Sequence, residues 1–207
     1  MGRSASSSRW LRRHTTDAYV RRAKAQGYRS RAAFKLTEID ARERLLAPGG
    51  LVIDLGAAPG GWAQVASARV GRGGCVVAVD LLEIAPISNV KVLRGDFRSE
   101  GVRDKVRAAL GGRKADVVLS DLSPNLSGIG AADQSRAAEL VRAAAGFCRG
   151  VLKPEGRFLC KVFQGSEFAA LLAELRRDFR RVRVLKPAAS RSESRETYLL
   201  AEGLTNA

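Results

Sequence analysis

Histidine and cysteine are scarce in this chain. There is one histidine, His14, and three cysteines, Cys75, Cys148 and Cys160, each in its own apolar segment and none in a CxxC pair. That inventory argues against a transition-metal site and against a disulfide framework, and it reads as reduced core thiols in a cytoplasmic protein. No apolar stretch approaches the roughly 20 residues of a membrane-spanning helix. The N-terminal MGRSASSSRWLRRHTT lacks the apolar segment of a secretory signal. Two common phosphate-binding loops are missing as well, the G-x-G-x-x-G of dinucleotide enzymes and the G-x-x-x-x-G-K-[ST] of nucleoside triphosphatases.

Acidic residues are the remaining shortage: 21 Asp and Glu face 36 Lys and Arg, a formal net charge of +15. The excess is concentrated. Residues 1–35 hold ten basic residues against Asp17 alone, and residues 171–195 hold eight against Glu174, Asp178 and Glu193. These segments carry +9 and +5, nearly the whole excess. Such a surface suits a polyanion, RNA or DNA. Neither segment pairs its charge with a strong apolar face, which disfavours a membrane surface. Trp10, Tyr19, Tyr28 and Phe34 are interleaved with the first basic segment. They can stack on unpaired bases or pack N-terminal helices onto a sheet.

With 207 residues and 45% hydrophobic content the chain fits one domain with a proper core. A helical pattern runs from Asp17 to about Glu43, interrupted near GYRSR at 27–31, and PGG at 48–50 breaks it. Beyond that point strands are predicted at 51–55, 75–80, 90–94, 116–120, 157–163, 181–185 and 197–201, with helices at about 62–70, 98–110, 133–151 and 166–179. This divides the chain into a basic N-terminal extension over 1–47 and a sheet over 48–207. Repeated βα alternation closed by an antiparallel hairpin predicts a Rossmann-like, doubly wound α/β sheet. Ligands of such sheets sit beyond the carboxyl ends of the strands.

The loop after the first strand, DLGAAPGGW at 54–62, has Gly56, Gly60 and Gly61 in a G-x-x-x-G-G pattern, with Pro59 inside and no lysine following. Glycines there let backbone approach a ligand at a helix N-terminus. Asp80 ends the second strand, where a carboxylate suits a ribose diol, and Asp96 follows the third in LRGDF, where it can accept from an adenine amino group. Singly, each aspartate can equally be a cap or turn residue. Together the three loops favour an adenosine-bearing cofactor without a pyrophosphate, and S-adenosylmethionine fits best.

The fifth strand, RFLCKVF, carries Lys161 inside an apolar run. Burying an unpaired ammonium there costs several kcal/mol. Asp121 in LSDLSPN, Glu196 in SRSESRETY and Lys35 in RSRAAFKL come from three distant segments. At least three of these four charged residues fall on the same sheet edge if the fold is as read.

RSASSSRW, RSRAAFKL, DLGAAPGGW, SDLSPN, KVFQG and SRSESRETY, in that order from about residue 2 to residue 203, together resemble the FtsJ-like (RlmE) family of ribosomal RNA ribose 2′-O-methyltransferases. The resemblance implies a single domain with a seven-stranded S-adenosylmethionine-dependent methyltransferase fold. It places a Lys-Asp-Lys-Glu catalytic tetrad on Lys35, Asp121, Lys161 and Glu196, and cofactor-binding positions on Gly60, Trp62, Asp80, Asp96 and Asp121. It also implies a monomer acting on a uridine ribose of 23S RNA, in the aminoacyl-tRNA-binding loop of the assembled 50S subunit. Ser123 stands where the family pattern leads one to expect alanine. A free lysine, pKa about 10.4, is protonated at neutral pH, so Lys161 has two open roles, base or hydroxyl-orienting ammonium. Residues 1–35 and the 176–195 strip are expected to flank the site, and residues 1–30 to be separable from the cofactor loops. Rival readings are an NAD-dependent oxidoreductase, which lacks its fingerprint, and a non-catalytic RNA-binding scaffold.

Overall fold

A computed structural model describes residues 17–124, 130–191 and 194–205. Five strands run parallel: β1 (Leu51–Leu55), β2 (Cys75–Asp80), β3 (Val90–Arg94), β4 (Ala115–Ser120) and β5 (Leu152–Phe163). β6 (Phe179–Leu185) forms the far edge, and β7 (Glu196–Leu204) inserts antiparallel between it and β5, giving the order β3-β2-β1-β4-β5-β7-β6. The predicted seven strands and closing hairpin are thus both present. Six helices are described: α1 (Ala18–Ala25), α2 (Ala32–Glu43), α3 (Gly61–Val70), α4 (Glu100–Ala109), α5 (Gly130–Val151) and α6 (Phe168–Asp178).

The central strands are apolar throughout because helices cover both faces. Alternate residues of β1 serve different layers. Leu51, Ile53 and Leu55 join Val106, Ala144 and Leu171 from α4, α5 and α6. Val52 joins Leu36 of α2 and Val65 of α3 on the opposite face. β5 begins at Leu152, earlier than the predicted 157, because its ladder has a register shift. Ala115 pairs with Leu152 and Val117 with Arg157, so residues 153–156 bulge outward. Pro154 sits in that excursion, where a missing N–H does least harm, and Gly156 closes it where a Cβ would come within 2.5 Å of the Leu152 side chain.

The N-terminal helices are packed against this frame. Phe34 is only 4% exposed, with the Tyr19 and Tyr28 rings centred 5.6 and 5.5 Å away. Of the two readings of the aromatics, packing therefore holds for Phe34; Trp10 lies outside the described residues. The connection from α1 to α2 is also tied to α3. Gln64 Nε2 donates to Gly27 O (3.0 Å), Arg29 N donates to Gln64 Oε1 (2.9 Å), and Trp62 Nε1 donates to Ala32 O (2.8 Å). These bonds correct the expectation that residues 1–30 can be removed without touching the cofactor loop.

The strip over 176–195 is divided rather than continuous beside the site. Leu185 is level with Tyr198 and Lys161, whereas Arg181 is level with Glu202 and Arg157, about 13 Å lower along the strands. Arg180 and Arg183 are moreover paired with Glu155 and Glu43. Only the turn beyond Leu185 reaches the carboxyl edge.

Phe34→Ala should lower folding stability by about 3–5 kcal/mol, the usual cost of emptying an aromatic core position, read from urea unfolding. Unchanged stability with weakened RNA binding would return Phe34 to an RNA-facing role.

Candidate active site

The carboxyl ends of the parallel strands and the amino end of β7 share one edge of the sheet, and four charges meet there, Lys161 and Glu196 buried and Lys35 and Asp121 partly buried. Lys161, 9% exposed on β5, lies opposite Tyr198 in the ladder. Its ammonium donates to the Asp121 main-chain oxygen at 2.9 Å and lies 3.3 Å from Asp121 Oδ1. An ammonium has three donors, so these contacts leave one for a ligand. Lys35 from α2 pairs with Glu196 Oε1 at 2.6 Å, and the Ser190 hydroxyl donates to the same oxygen at 2.9 Å. Burial opposes ionisation of Glu196, but Lys35, Lys161 and the Ser190 bond together hold its carboxyl below the usual range.

Two groups that sequence reasoning missed complete the cluster. Tyr198 is fully buried and donates its hydroxyl to Asp121 Oδ1 at 3.0 Å. Burial first, then the Asp121 and Glu196 carboxylates, push its pKa well above the ordinary value, so it stays a donor. Its ring lies 5.7 Å from that of Trp62 and 5.9 Å from the Lys35 ammonium. The TY step of RETY is an ordinary strand pattern, and only the β5–β7 register shows that its hydroxyl reaches Asp121.

Asp54 is the second. It is 0% exposed near the end of β1, and neither carboxyl oxygen makes a well-formed hydrogen bond. Burial first, then the Asp121 and Asp80 carboxylates, push its pKa up to about 8, and the Ala63 amide offsets only part of this. Within the apolar LVIDL it offers no signal beyond its charge.

Beside the four charges lies a cavity of about 360 Å³ lined by Gly56, Ala58, Asp80, Asp96, Asp121 and Leu122 among others. The two Asp80 oxygens accept from the amides of Ala58 (2.9 Å) and Leu82 (2.8 Å). Asp96 is held in a fork by Arg98, with contacts of 2.7 to 3.0 Å. Those bonds keep its carboxyl below the usual range, against the opposing effect of burial. Gly60 caps α3 at φ +112, a conformation that favours glycine. The Trp62 side chain is 3% exposed and directed at α2, so the part of it nearest the loop is backbone. The structure therefore brings Lys35, Asp121, Lys161 and Glu196 into one cluster and Asp80, Asp96 and Asp121 around one cavity. Gly60 and Trp62 stand at the adjoining helix N-terminus.

The depressed pKa of Glu196 carries a pH signature. Its pairing stabilises the fold above the unfolded-state value of about 4.5 and is lost as pH falls through the lower folded value. The stability difference between the wild-type protein and Glu196→Gln should therefore be largest near neutral pH and shrink below about pH 4.5. A difference that is constant from pH 3 to 7 would contradict this pairing.

Similar proteins place the chain in a family. The FtsJ-like methyltransferase family model matches residues 28–204. A protein named ribosomal RNA large subunit methyltransferase E from Chromohalobacter salexigens is 53% identical, covering 97% of this chain and 95% of that one. A protein of the same name from Dechloromonas aromatica is 48% identical, covering 99% and 100%. Among solved structures, one provisionally described as a ribosomal RNA methyltransferase of Plasmodium falciparum superposes with a TM-score of 0.78 at 28% identity, over 87% of this chain and 100% of that one. A Streptococcus mutans protein provisionally described as a methyltransferase, solved with SAH, shares the fold at a TM-score of 0.54 and 16% identity, over 81% and 95%. This chain belongs to the FtsJ-like methyltransferase family.

Proposed function

We propose that this chain transfers the methyl group of S-adenosylmethionine to the 2′-hydroxyl of a uridine ribose in 23S ribosomal RNA of the large subunit. The observation that carries the reading is the pair of lysine–carboxylate contacts, Lys161–Asp121 and Lys35–Glu196, beside an acid-lined cavity. The names of the relatives support the substrate class.

The residues fit the cofactor. Asp80, Asp96 and Asp121 line the cavity, and of these Asp80 has only neutral amides as described partners, which makes the cavity a place for a cationic ligand. Asp80 is suited to the ribose diol and Asp96 to the adenine amino group, while Gly60 and Trp62 offer backbone at the α3 N-terminus. When bound, S-adenosylmethionine supplies an activated methyl group on a sulfonium. The protein then has to orient one hydroxyl in line and manage one proton. The remaining Lys161 donor orients the hydroxyl or, once deprotonated, takes that proton. Asp121 and Tyr198 fix the Lys161 head, and the Lys35–Glu196 pair bounds the opposite side.

On the RNA side, Arg21, Arg22 and Lys24 lie exposed on α1, and they suit phosphate contacts. We read residues 1–207 as one methyltransferase domain, with 1–47 the RNA-binding extension and 48–207 the catalytic sheet. It works as a cytoplasmic monomer on RNA assembled in the 50S subunit. Among the described residues no helix is long and apolar enough to cross a membrane.

Lys161→Ala should bind cofactor normally and lose about 10²–10⁴-fold in turnover, the range for a general acid or base. Lys161→Arg separates the two roles, because arginine keeps the charge but does not deprotonate in a protein. Recovery of most of the rate by arginine assigns orientation by charge, and a fully active alanine variant removes Lys161 from catalysis. Asp80→Ala should weaken cofactor binding by roughly 1.5–3 kcal/mol, the value of hydrogen bonds to a charged acceptor; unchanged affinity in calorimetric titration would refute the ribose assignment.

A further inference from the structure

Arg29 belongs by sequence to the basic segment expected to grip RNA, yet its guanidinium is turned onto two loops beside the cofactor cavity. Nη1 donates to Ala85 O at 2.6 Å and to Pro59 O at 3.2 Å, and Nη2 donates to Pro86 O at 2.7 Å. Pro59 lies in the 56–60 loop that leads into α3, and Ala85 and Pro86 lie in the connection that follows Asp80. The same side chain packs on Gly60: a Cβ there would come within 3.0 Å of Arg29 Nη1 and 2.6 Å of Ile87 Cδ1. The Arg29 backbone is meanwhile anchored to α3 through Gln64, at 2.9 Å.

These contacts describe a clamp rather than a surface charge. A guanidinium offers five donors in a fixed plane, so it can meet three carbonyls from two loops at once, which a compact ammonium does not reproduce. Hydrogen bonds from a charged donor are also stronger than neutral ones. A loop that is ordered before its ligand arrives avoids the entropy cost of ordering on binding. Gly56 and Ala58 of the first loop and Asp80, Leu81 and Leu82 at the start of the second line the cavity, so the clamp ties together, a few residues farther on, the two segments that carry these walls.

We propose that Arg29 is a positioning residue for the cofactor site, holding the 56–60 loop against the 85–87 segment, and that it is not an RNA contact. This rests on the reading of the cavity as a site for S-adenosylmethionine. The test is calorimetric titration of the full chain with S-adenosylhomocysteine, alongside RNA binding at fixed salt, for Arg29→Lys, Arg29→Ala and an Arg21→Ala/Lys24→Ala control. Arg29→Lys should weaken S-adenosylhomocysteine about tenfold or more and leave RNA affinity within about twofold; the control should do the reverse. Arg29→Ala should follow Arg29→Lys, and if it does not fold the lysine variant alone decides. In turnover, the Arg29 variants should raise KM for the cofactor and leave KM for RNA unchanged, a split that general destabilisation does not produce. Wild-type cofactor affinity in Arg29→Lys overturns the inference, as does a loss of RNA affinity as large as the loss of cofactor affinity. If the wild-type protein itself fails to bind S-adenosylhomocysteine, the functional reading falls and this inference with it.

Discussion

A cation inside a sheet needs a carboxylate from somewhere else in the chain, and the site is arranged around that requirement. Lys161 emerges from β5 among apolar neighbours and is met by Asp121, which follows β4. Lys35 arrives from α2 and is met by Glu196 at the start of β7. Removing either member of such a pair leaves its partner without its counter-ion. The two contacts therefore tie the segment after β4 to β5 and α2 to the start of β7. Tyr198 adds rigidity, because it faces Lys161 across the β5–β7 ladder and hydrogen-bonds the partner of Lys161.

The same logic divides the +15 charge into parts with different work. Asp17 caps α1, pairs with Arg31 and lies 3.2 Å from Arg191 in the turn between β6 and β7. In the same turn Ala189 N donates to Glu38 Oε2 at 3.0 Å, and Ser190 reaches Glu196. The N-terminal helices, that turn and Glu196 are consequently one connected unit. A basic residue in either charged segment is as apt to hold this unit together as to meet RNA, and the partners, not the charge count, decide which. Arg21 and Lys24 are exposed on α1, whereas Arg22 lies over the Phe34 ring and Arg29, Arg31 and Arg183 are engaged by protein.

Most of the sheet was legible because its signals are local, apolar strands bounded by Gly and Pro, and Lys161 was legible as a charge where an apolar run should continue; Lys35, Asp121 and Glu196 were joined to it through the family resemblance. What stayed hidden depended on register or on long-range partners. The start of β5 at Leu152 follows from a register shift against β4 that no periodicity reveals. The splitting of the 176–195 strip follows from strand direction, since the residues of β6 run along the sheet and only its last one, Leu185, is level with Lys161. Tyr198 and Arg29 lie inside the SRSESRETY and RSRAAFKL motifs, but nothing local separates them from their neighbours, and only their acceptors, 77 and 30 to 57 residues away, distinguish them.

The cavity itself makes the last link between electrostatics and chemistry. Asp54, Asp80 and Asp121 bring three carboxyl groups close together, and of these only Asp121 has an ammonium beside it among the described contacts. Asp80 is satisfied by amides, which carry no net charge, and Asp54 has no well-formed partner. The nearby Asp121 and Asp80 charges add to burial in pushing Asp54 up to about 8, so near neutral pH it is largely protonated and the cavity's own charge rests on the carboxylates that line it. A ligand bearing positive charge is favoured beside the Asp80 carboxylate, whose described partners are neutral amides, and one that is neutral or anionic is not. Binding of a sulfonium is thus favoured over a phosphate-rich nucleotide by the cavity's own charge, in keeping with a glycine loop that fits neither phosphate motif. Loss of the methyl group turns the sulfonium into a neutral thioether, so the attraction that recruits the cofactor weakens once transfer is complete.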